Sequence, residues 1–180
     1  MAELISIVGG ECTGKSTLAA ALGVRLPGVV VPEFLREWVD RQGRVPGPDE
    51  QAAVMAGHRE AEVHAARQAG RVGMNWVVSD SGPLMTAIYS IQHYDDDSLL
   101  APALEWTARS AVVAWCQHDF PWQPDPQRDG SQARLTSQQI LTSIFADHPE
   151  LPALAVRGPL ADRVETVLRE VGSGVTPDAD

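Results

Sequence analysis

A nine-residue segment near the start of the chain has the residue types and spacing of a phosphate-binding loop. It reads Gly9-Gly10-Glu11-Cys12-Thr13-Gly14-Lys15-Ser16-Thr17 and fits the spacing G-x-x-x-x-G-K-[ST]. Glycines let the backbone turn so that successive N–H groups surround phosphates, and the helix N-terminus that follows adds positive potential. We expect Lys15 to contact the β- and γ-phosphates and the Ser16 hydroxyl to bind Mg²⁺. The predicted ATP-binding residues are Gly10, Glu11, Cys12, Thr13, Gly14, Lys15, Ser16 and Thr17.

Lys15 is the one lysine of a chain that carries 13 arginines. An ammonium group is a compact point charge on a flexible stem, so a site that closes tightly around one phosphate oxygen favours lysine over the wide guanidinium. The alternative is a strand-turn-helix whose glycines serve only the turn. An apolar run at 4–8 precedes the loop and a helix-forming run at 17–22 follows it, which is the context that nucleotide binding requires. We interpret Cys12 as a small spacer within the loop.

Short apolar runs alternate with helical patterns along the rest of the chain. The predicted strands are 4–8, 28–33, 76–80, 111–116 and 153–156, and the helices after them include 34–42, 48–68, 83–95, 98–108, 136–147 and 159–171. Apolar strands that alternate with helices imply a parallel sheet covered on both faces. The sequence therefore predicts a single α/β domain over 1–172, a three-layer αβα P-loop NTPase fold with a five-stranded, mainly parallel sheet, followed by a flexible tail at 173–180.

Two acidic residues follow predicted strands at the sheet edge where ligands of such folds bind. Asp80 is a candidate to hold magnesium together with Ser16, and a solvated strand-end aspartate is the alternative. Glu33 could accept the proton of an acceptor hydroxyl or simply cap the helix after it. Arg36 could hold an acceptor group or pair with Glu33. Which of the two carboxylates is the base stays open at this stage.

Residues 117–134 are rich in Pro, Asp and Gly and form too long a segment for a simple connection. We predict a lid that closes over ATP, in which Arg128 and Arg134 neutralise charge that develops on the moving phosphoryl group. Ordinary surface arginines are the alternative. Trp122 in the same segment could stack on a base or a pyridine ring.

The charge balance narrows the possible partners and compartments. The formal net charge is -10, from 14 Lys and Arg against 24 Asp and Glu, which disfavours nucleic acid or an anionic membrane as the main partner. Two cysteines, without a signal peptide or a bilayer-spanning apolar run, predict a reduced, cytoplasmic protein without a disulfide scaffold or a zinc site. We expect a monomer or a homodimer.

The chain resembles the ribosylnicotinamide kinase domain of NadR-type proteins, within the wider AAA_28-like P-loop kinases. The resemblance runs from Ile5 to about Val171 and rests on short motifs spread along the chain. The loop GGECTGKST is similar to GGESSGKS, and the other matches are Glu33 with Arg36-Glu37, Gln51, Gly57-His58, Asp80-Ser81, and Trp122, Asp125 and Arg128 in the spacing W-x-x-D-x-x-R.

The resemblance implies transfer of the ATP γ-phosphoryl group to the 5'-hydroxyl of nicotinamide riboside. It adds His58 to the candidate substrate contacts, which are Glu33, Arg36, His58, Asp80 and Trp122, although a histidine on a long helix is more often a surface residue. The chain departs from the family at Gly82, where the family has a second acid, and at Pro126-Gln127, where its lid has Asp-Gly.

Three alternatives remain beside this activity. One is a kinase for another nucleoside or nucleotide. Another is a regulatory ATPase switch that uses no small-molecule acceptor. The third is a protein that holds nucleotide without chemistry, which the joint presence of Lys15, Ser16, Glu33 and Asp80 disfavours.

Overall fold

The computed structural model describes residues 2–119, 121 and 131–173, in which five strands alternate with seven helices. The strands are β1 (Glu3–Val8), β2 (Gly28–Val31), β3 (Trp76–Asp80), β4 (Val112–Cys116) and β5 (Ala153–Val156). The helices are α1 (Lys15–Arg25), α2 (Phe34–Gln42), α3 (Gln51–Arg71), α4 (Pro83–Tyr94), α5 (Leu100–Thr107), α6 (Ser131–Asp147) and α7 (Leu160–Ser173), and a short 3-10 helix, Pro48–Glu50, leads into α3. None of these described helices is long and apolar enough to cross a membrane.

The five strands form one sheet in the order β2-β3-β1-β4-β5, and all four neighbouring pairs are parallel. The prediction of a five-stranded parallel α/β fold is confirmed. Strand β1 lies at the centre, where Ile5 is in register with Val78 of β3 and Val112 of β4. Since the strands run in the same direction, the carboxyl ends of β1, β2, β3 and β4 meet at one edge of the sheet.

Alternate residues of the central strand bury against helices on opposite faces of the sheet. Ile5 and Ile7 are fully buried with side chains of α1 and α7 on one face, whereas Val8 packs among α4 and α6 on the other. Full burial of one such aliphatic side chain contributes roughly 1.5–3 kcal/mol to the stability of the fold. Helix α3 covers the edge strand β2 and its neighbour β3. The two apolar faces hold the sheet as the middle of three layers.

The start of α6 differs from the sequence prediction. We expected a helix over 136–147, beginning at Thr136, but α6 begins at Ser131, so the last residues of the expected lid segment 117–134 are helical. The Thr136 hydroxyl donates to the carbonyl oxygen of Gln132 at 3.2 Å, which is a bond within a helix rather than an N-cap. Packing against the rest of the fold decides the boundary, because Arg134, in the first turn of α6, is buried against Gly10.

Candidate active site

The phosphate-binding loop connects β1 to α1 at the centre of the sheet. Gly9 has φ +150°, and a Cβ at this position would lie 2.7 Å from the Thr13 hydroxyl oxygen and 2.8 Å from the Cys116 carbonyl oxygen. Gly14 caps α1 with φ 82°, and Cys12 also adopts a left-handed conformation with φ 52°. Backbone conformation therefore favours glycine at both positions, and lack of space requires it at Gly9.

The side chain of Lys15 folds back over this loop. Its Nζ donates to the carbonyl oxygens of Gly9 at 2.9 Å and Gly10 at 3.1 Å, and the residue is only 8% exposed. The ammonium charge thus lies inside the hollow of the loop. A positive charge at the N-terminus of α1 makes this hollow suited to the phosphates of a nucleotide.

A cavity of about 1210 Å³ is lined in part by the loop. This volume exceeds the 300–1,000 Å³ that is usual for a small-molecule pocket. Two further groups of residues line the cavity, and we call them its α2/α4 end and its α7 end. The α2/α4 end is lined by Glu33, Leu35, Arg36, Val39, Tyr89, His93 and Tyr94, among others, and the α7 end by Asp119, Pro121, Gly158, Pro159, Leu160 and Arg163.

Asp80 lies at the carboxyl end of β3, beneath the loop, and is 5% exposed. Burial raises the pKa of its carboxyl above the ordinary value, while a hydrogen bond from Ser16 and the charge of Lys15 lower it in part and the nearby Glu33 carboxylate raises it. Four predicted site residues therefore lie close together: Lys15, Ser16, Glu33 and Asp80. Carboxylate and hydroxyl oxygens are ligands of the kind that Mg²⁺ prefers, so Asp80 and Ser16 fit this ion.

A metal at this place would need further ligands. The part of the chain that the structure describes holds no group of three or more His, Cys, Asp and Glu side chains that could bind a metal. Mg²⁺ is usually bound through one or two protein oxygens together with substrate phosphates and water. The pair of Asp80 and Ser16 fits that pattern and does not fit a permanent metal centre.

Glu33 follows β2 and occupies the N-cap position of α2. Its side chain makes no capping hydrogen bond and instead pairs with Arg36, whose Nη2 lies 3.4 Å from Oε2. The Glu33 side chain is 15% exposed and the Arg36 side chain 52%. Both residues line the α2/α4 end of the cavity. Of the alternatives that the sequence left open, the structure favours the ion pair over the helix cap.

Helix α6 is fixed to the phosphate-binding loop by a residue that sequence reasoning missed. Gln138 accepts from the Gly10 N–H at 3.3 Å and from Trp115 Nε1 at 3.1 Å, and its amide donates to the Cys116 carbonyl oxygen at 3.3 Å. Arg134 lies one turn earlier, and a Cβ on Gly10 would come within 2.6 Å of its carbonyl oxygen. Arg134 does not line the cavity, whereas the prediction had it facing the nucleotide.

Arg163 of α7 is a second residue that the sequence did not reveal. Its guanidinium donates to the carbonyl oxygens of Thr13 at 2.7 Å, Gln117 at 3.2 Å and Gly158 at 2.8 Å, and it pairs with the Asp119 carboxylate. Asp119 also accepts from the Gly158 N–H at 2.5 Å. Arg163 thus connects the phosphate-binding loop to the loops after β4 and β5 at the α7 end of the cavity.

His58 lies elsewhere than the sequence analysis expected. It is 1% exposed, does not line the cavity, and bonds to Ser79 Oγ at 2.8 Å on the buried side of α3. Burial lowers the pKa of His58 to about 4, so the imidazole is neutral at pH 7. The structure therefore does not bring His58 together with the other candidate substrate contacts. Trp122, Asp125, Arg128 and Pro126-Gln127, all in the expected lid, lie outside the described residues.

Comparison with solved structures shows the same fold in nucleoside and nucleotide kinases. NadR in complex with NR aligns with a TM-score of 0.75 at 17% identity, over 99% of this chain and 53% of that one. Thymidylate kinase from Candida albicans aligns with a TM-score of 0.66 at 13% identity, over 96% and 92% of the two chains. Deoxyadenosine kinase from M. mycoides, with dCMP and dCDP bound, gives 0.64 at 14%, over 94% and 99%.

The chain spans about half the length of the NadR chains it resembles. A second NadR structure, in complex with NAD and AMP-PNP, aligns equally well, with a TM-score of 0.75. A search of curated proteins gave no significant match. The family model AAA_28, described as an AAA domain, matches residues 4–163, which is most of the chain and includes every part of the site described above. With its phosphate-binding loop at the centre of a parallel five-stranded sheet, the chain belongs to the AAA_28 family of AAA domains.

Proposed function

We propose that this protein is a P-loop kinase that transfers the γ-phosphoryl group of Mg-ATP to a hydroxyl of a nucleoside, with nicotinamide riboside as the leading acceptor. The observation that carries the proposal is the two-ended cavity over the phosphate-binding loop, because a kinase must hold a donor and an acceptor side by side. The two NadR structures, one with NR and one with AMP-PNP, support this choice of acceptor and donor.

The donor occupies the loop and the α7 end of the cavity in this proposal. Lys15 and the loop N–H groups hold the β- and γ-phosphates, and Arg163 keeps the surrounding loops in place. Ser16 and Asp80 would hold Mg²⁺, which would supply positive charge that offsets the charge of the phosphates. Arg128 would add charge compensation from the lid, whereas Arg134, predicted for the same role, lies buried against Gly10 at the start of α6.

The acceptor occupies the α2/α4 end. Its hydroxyl oxygen forms a bond to the γ-phosphorus, the bond between that phosphorus and the bridging oxygen of ADP breaks, and the hydroxyl proton passes to a carboxylate. Glu33 is suited to accept the proton because it lines this end and lies close to Asp80. Arg36 orients Glu33, and Tyr89 and Tyr94 give the aromatic surface on which a flat ring packs. Trp122 would add a second such surface.

The first experiment incubates the purified protein with Mg-ATP and a panel of nucleosides led by nicotinamide riboside, and follows ADP release against a sample without acceptor. We expect ADP release that depends on the acceptor, with a phosphorylated riboside as the second product. ADP release that is indifferent to every acceptor would instead favour a regulatory ATPase. ADP release with a different nucleoside alone would support a kinase whose acceptor is that nucleoside and not nicotinamide riboside.

Site variants test the assigned roles in the same assay. Lys15→Ala should abolish turnover, and Glu33→Gln should lower kcat by about 10²-fold or more while ATP affinity stays near that of the wild type. Asp40→Asn is the matched control, because Asp40 is an exposed acid of the same helix that does not line the cavity. Full activity of Glu33→Gln would show that the proton goes elsewhere, with Asp80 as the next candidate.

A further inference from the structure

A chain of buried polar groups lies behind the strand that carries Asp80. Ser79 Oγ is 2.8 Å from His58 Nε2 and 2.5 Å from Glu62 Oε1, and the other Glu62 oxygen, Oε2, is 2.5 Å from Trp106 Nε1. His58, Glu62 and Ser79 are 1%, 3% and 0% exposed. These four residues join α3 and α5 to β3, and none of them lines the cavity.

The direction of each hydrogen bond follows from the donors available. The indole N–H of Trp106 can only donate, so Glu62 Oε2 accepts from it. The hydroxyl of Ser79 donates its one proton to Glu62 Oε1, so the short contact with His58 requires an Nε2–H that donates to Ser79 Oγ. The neutral imidazole supplies that N–H in one tautomer. Two donated bonds therefore converge on the buried carboxylate of Glu62.

The carboxylate of Glu62 lies beside the turn that follows β3. It bonds to Ser79, the residue before Asp80, and Oε1 is 3.5 Å from where a Cβ on Gly82 would stand. Ser81, between Ser79 and Gly82, has φ 58°. This left-handed conformation costs any residue other than glycine on the order of 1 kcal/mol. The Ser81 N–H donates to the Ile7 carbonyl oxygen at 3.0 Å. The turn is thus held by β1 on one side and by Glu62 on the other.

The same geometry explains why position 82 carries no side chain. A Cβ at Gly82 would lie 2.6 Å from Ser6 Oγ, which is closer than real Cβ contacts allow. An acidic side chain at this position would also approach Glu62 and bring two carboxylates together in a buried place.

We propose that Glu62 is a positioning residue for Asp80: its carboxylate, bonded to Ser79 and Trp106, fixes the turn 79–82 so that the Asp80 carboxylate stays on Ser16. The inference rests on the proposed function for its effect on turnover. Its effect on Mg²⁺-dependent nucleotide binding is independent of any acceptor. Glu62 contacts no candidate ligand position and acts through the backbone of β3 and the turn.

The test compares the wild type with Glu62→Gln. The amide keeps the shape of the side chain, but its oxygen must accept from Trp106, which turns the NH₂ group toward Ser79 Oγ. The Ser79 proton must then turn to His58 Nε2 in its other tautomer, so the bonds that converge on the Glu62 carboxylate in the wild type are lost. We expect a kcat reduced about tenfold or more, because a displacement of the order of 1 Å in a catalytic group costs up to about 10²-fold. We also expect a higher Mg²⁺ concentration for half-maximal binding of an ATP analogue. Affinity for the analogue without Mg²⁺ should stay within about twofold of the wild type.

Glu60→Gln is the matched control, since Glu60 is exposed on the same helix two residues earlier, and it should behave as the wild type in every measurement. If Glu62→Gln does not fold, as judged by circular dichroism, Trp106→Phe removes one donor only and should change the Mg²⁺ dependence in the same direction by less. A folded Glu62→Gln with unchanged kcat and unchanged Mg²⁺ dependence would overturn the inference.

The two proposals fail in different ways. If the wild type shows no acceptor-dependent turnover, the proposed function fails, and the Mg²⁺ dependence of analogue binding still decides the role of Glu62. A shifted Mg²⁺ dependence then supports the positioning role, and identical curves for Glu62→Gln and the wild type refute it.

Discussion

The buried histidine gives the stability of this protein a dependence on pH that can be calculated. Burial lowers the pKa of His58 from 6.5 to about 4, so between these values the unfolded chain binds a proton that the folded chain does not. The free energy of unfolding therefore rises with pH across this window, and the contribution is lost as the pH falls from about 6.5 to about 4. With these two pKa values, linkage gives a loss of about 2 kcal/mol between pH 7 and pH 5.

The assay is urea unfolding followed by circular dichroism at several pH values from 7 to 4.5, for the wild type and for His58→Gln. The glutamine amide can donate to Ser79 Oγ but does not titrate. The difference in free energy of unfolding between the two proteins should therefore shrink by about 2 kcal/mol from pH 7 to pH 5. Glu62, whose pKa burial raises, contributes with the opposite sign but is present in both proteins. A difference that stays constant with pH would refute the assignment of a neutral, buried His58.

Two further predictions concern the packing around the cavity. Arg163→Met should lower the free energy of unfolding by about 1–3 kcal/mol and raise the Kd for nucleotide, because the buried carbonyl oxygens of Thr13 and Gln117 lose their donor. Urea unfolding and nucleotide titration measure the two effects, with Arg169→Met on the exposed side of α7 as the control. Equal stability of Arg163→Met and the wild type would contradict the role. Gly57→Ala should lower the free energy of unfolding by about 1–2 kcal/mol, since the added Cβ would lie 2.2 Å from the Phe34 ring. Phe34→Leu in the same chain should recover part of the loss, measured as Tm.

The parts of the site that could be predicted are those encoded within a few residues of sequence. The glycine spacing of the loop, the apolar runs of β1 and β3, and the acidic residue at the end of β3 are local signals, and the fold follows from their alternation. Arg163 and Gln138 could not be found this way. They bond to the loop across 150 and 128 residues of chain, and neither stands in a motif.

His58 illustrates a different limit. A histidine among Glu and Arg residues on a long helix is expected to face water, yet its neighbours one turn away, Val54 and Glu62, are buried with it. Glu62 in particular breaks the pattern that marks a buried helix face, because its charge is accepted only where Ser79 and Trp106 donate to it. The hydrogen bonds that make the burial possible come from elements far away in the chain.

The two ends of the cavity differ in how strongly the fold anchors them. The phosphate-binding loop extends from β1, the central strand, whose last four residues are buried. The α2/α4 end depends in part on α2, which follows the edge strand β2 and has no buried residue along its whole length. Local unfolding occurs most readily in the elements that have the fewest buried contacts. Backbone amides of α2 should therefore exchange hydrogen with solvent sooner than those of β1. In the proposed kinase this difference would let the acceptor exchange while the nucleotide loop stays rigid.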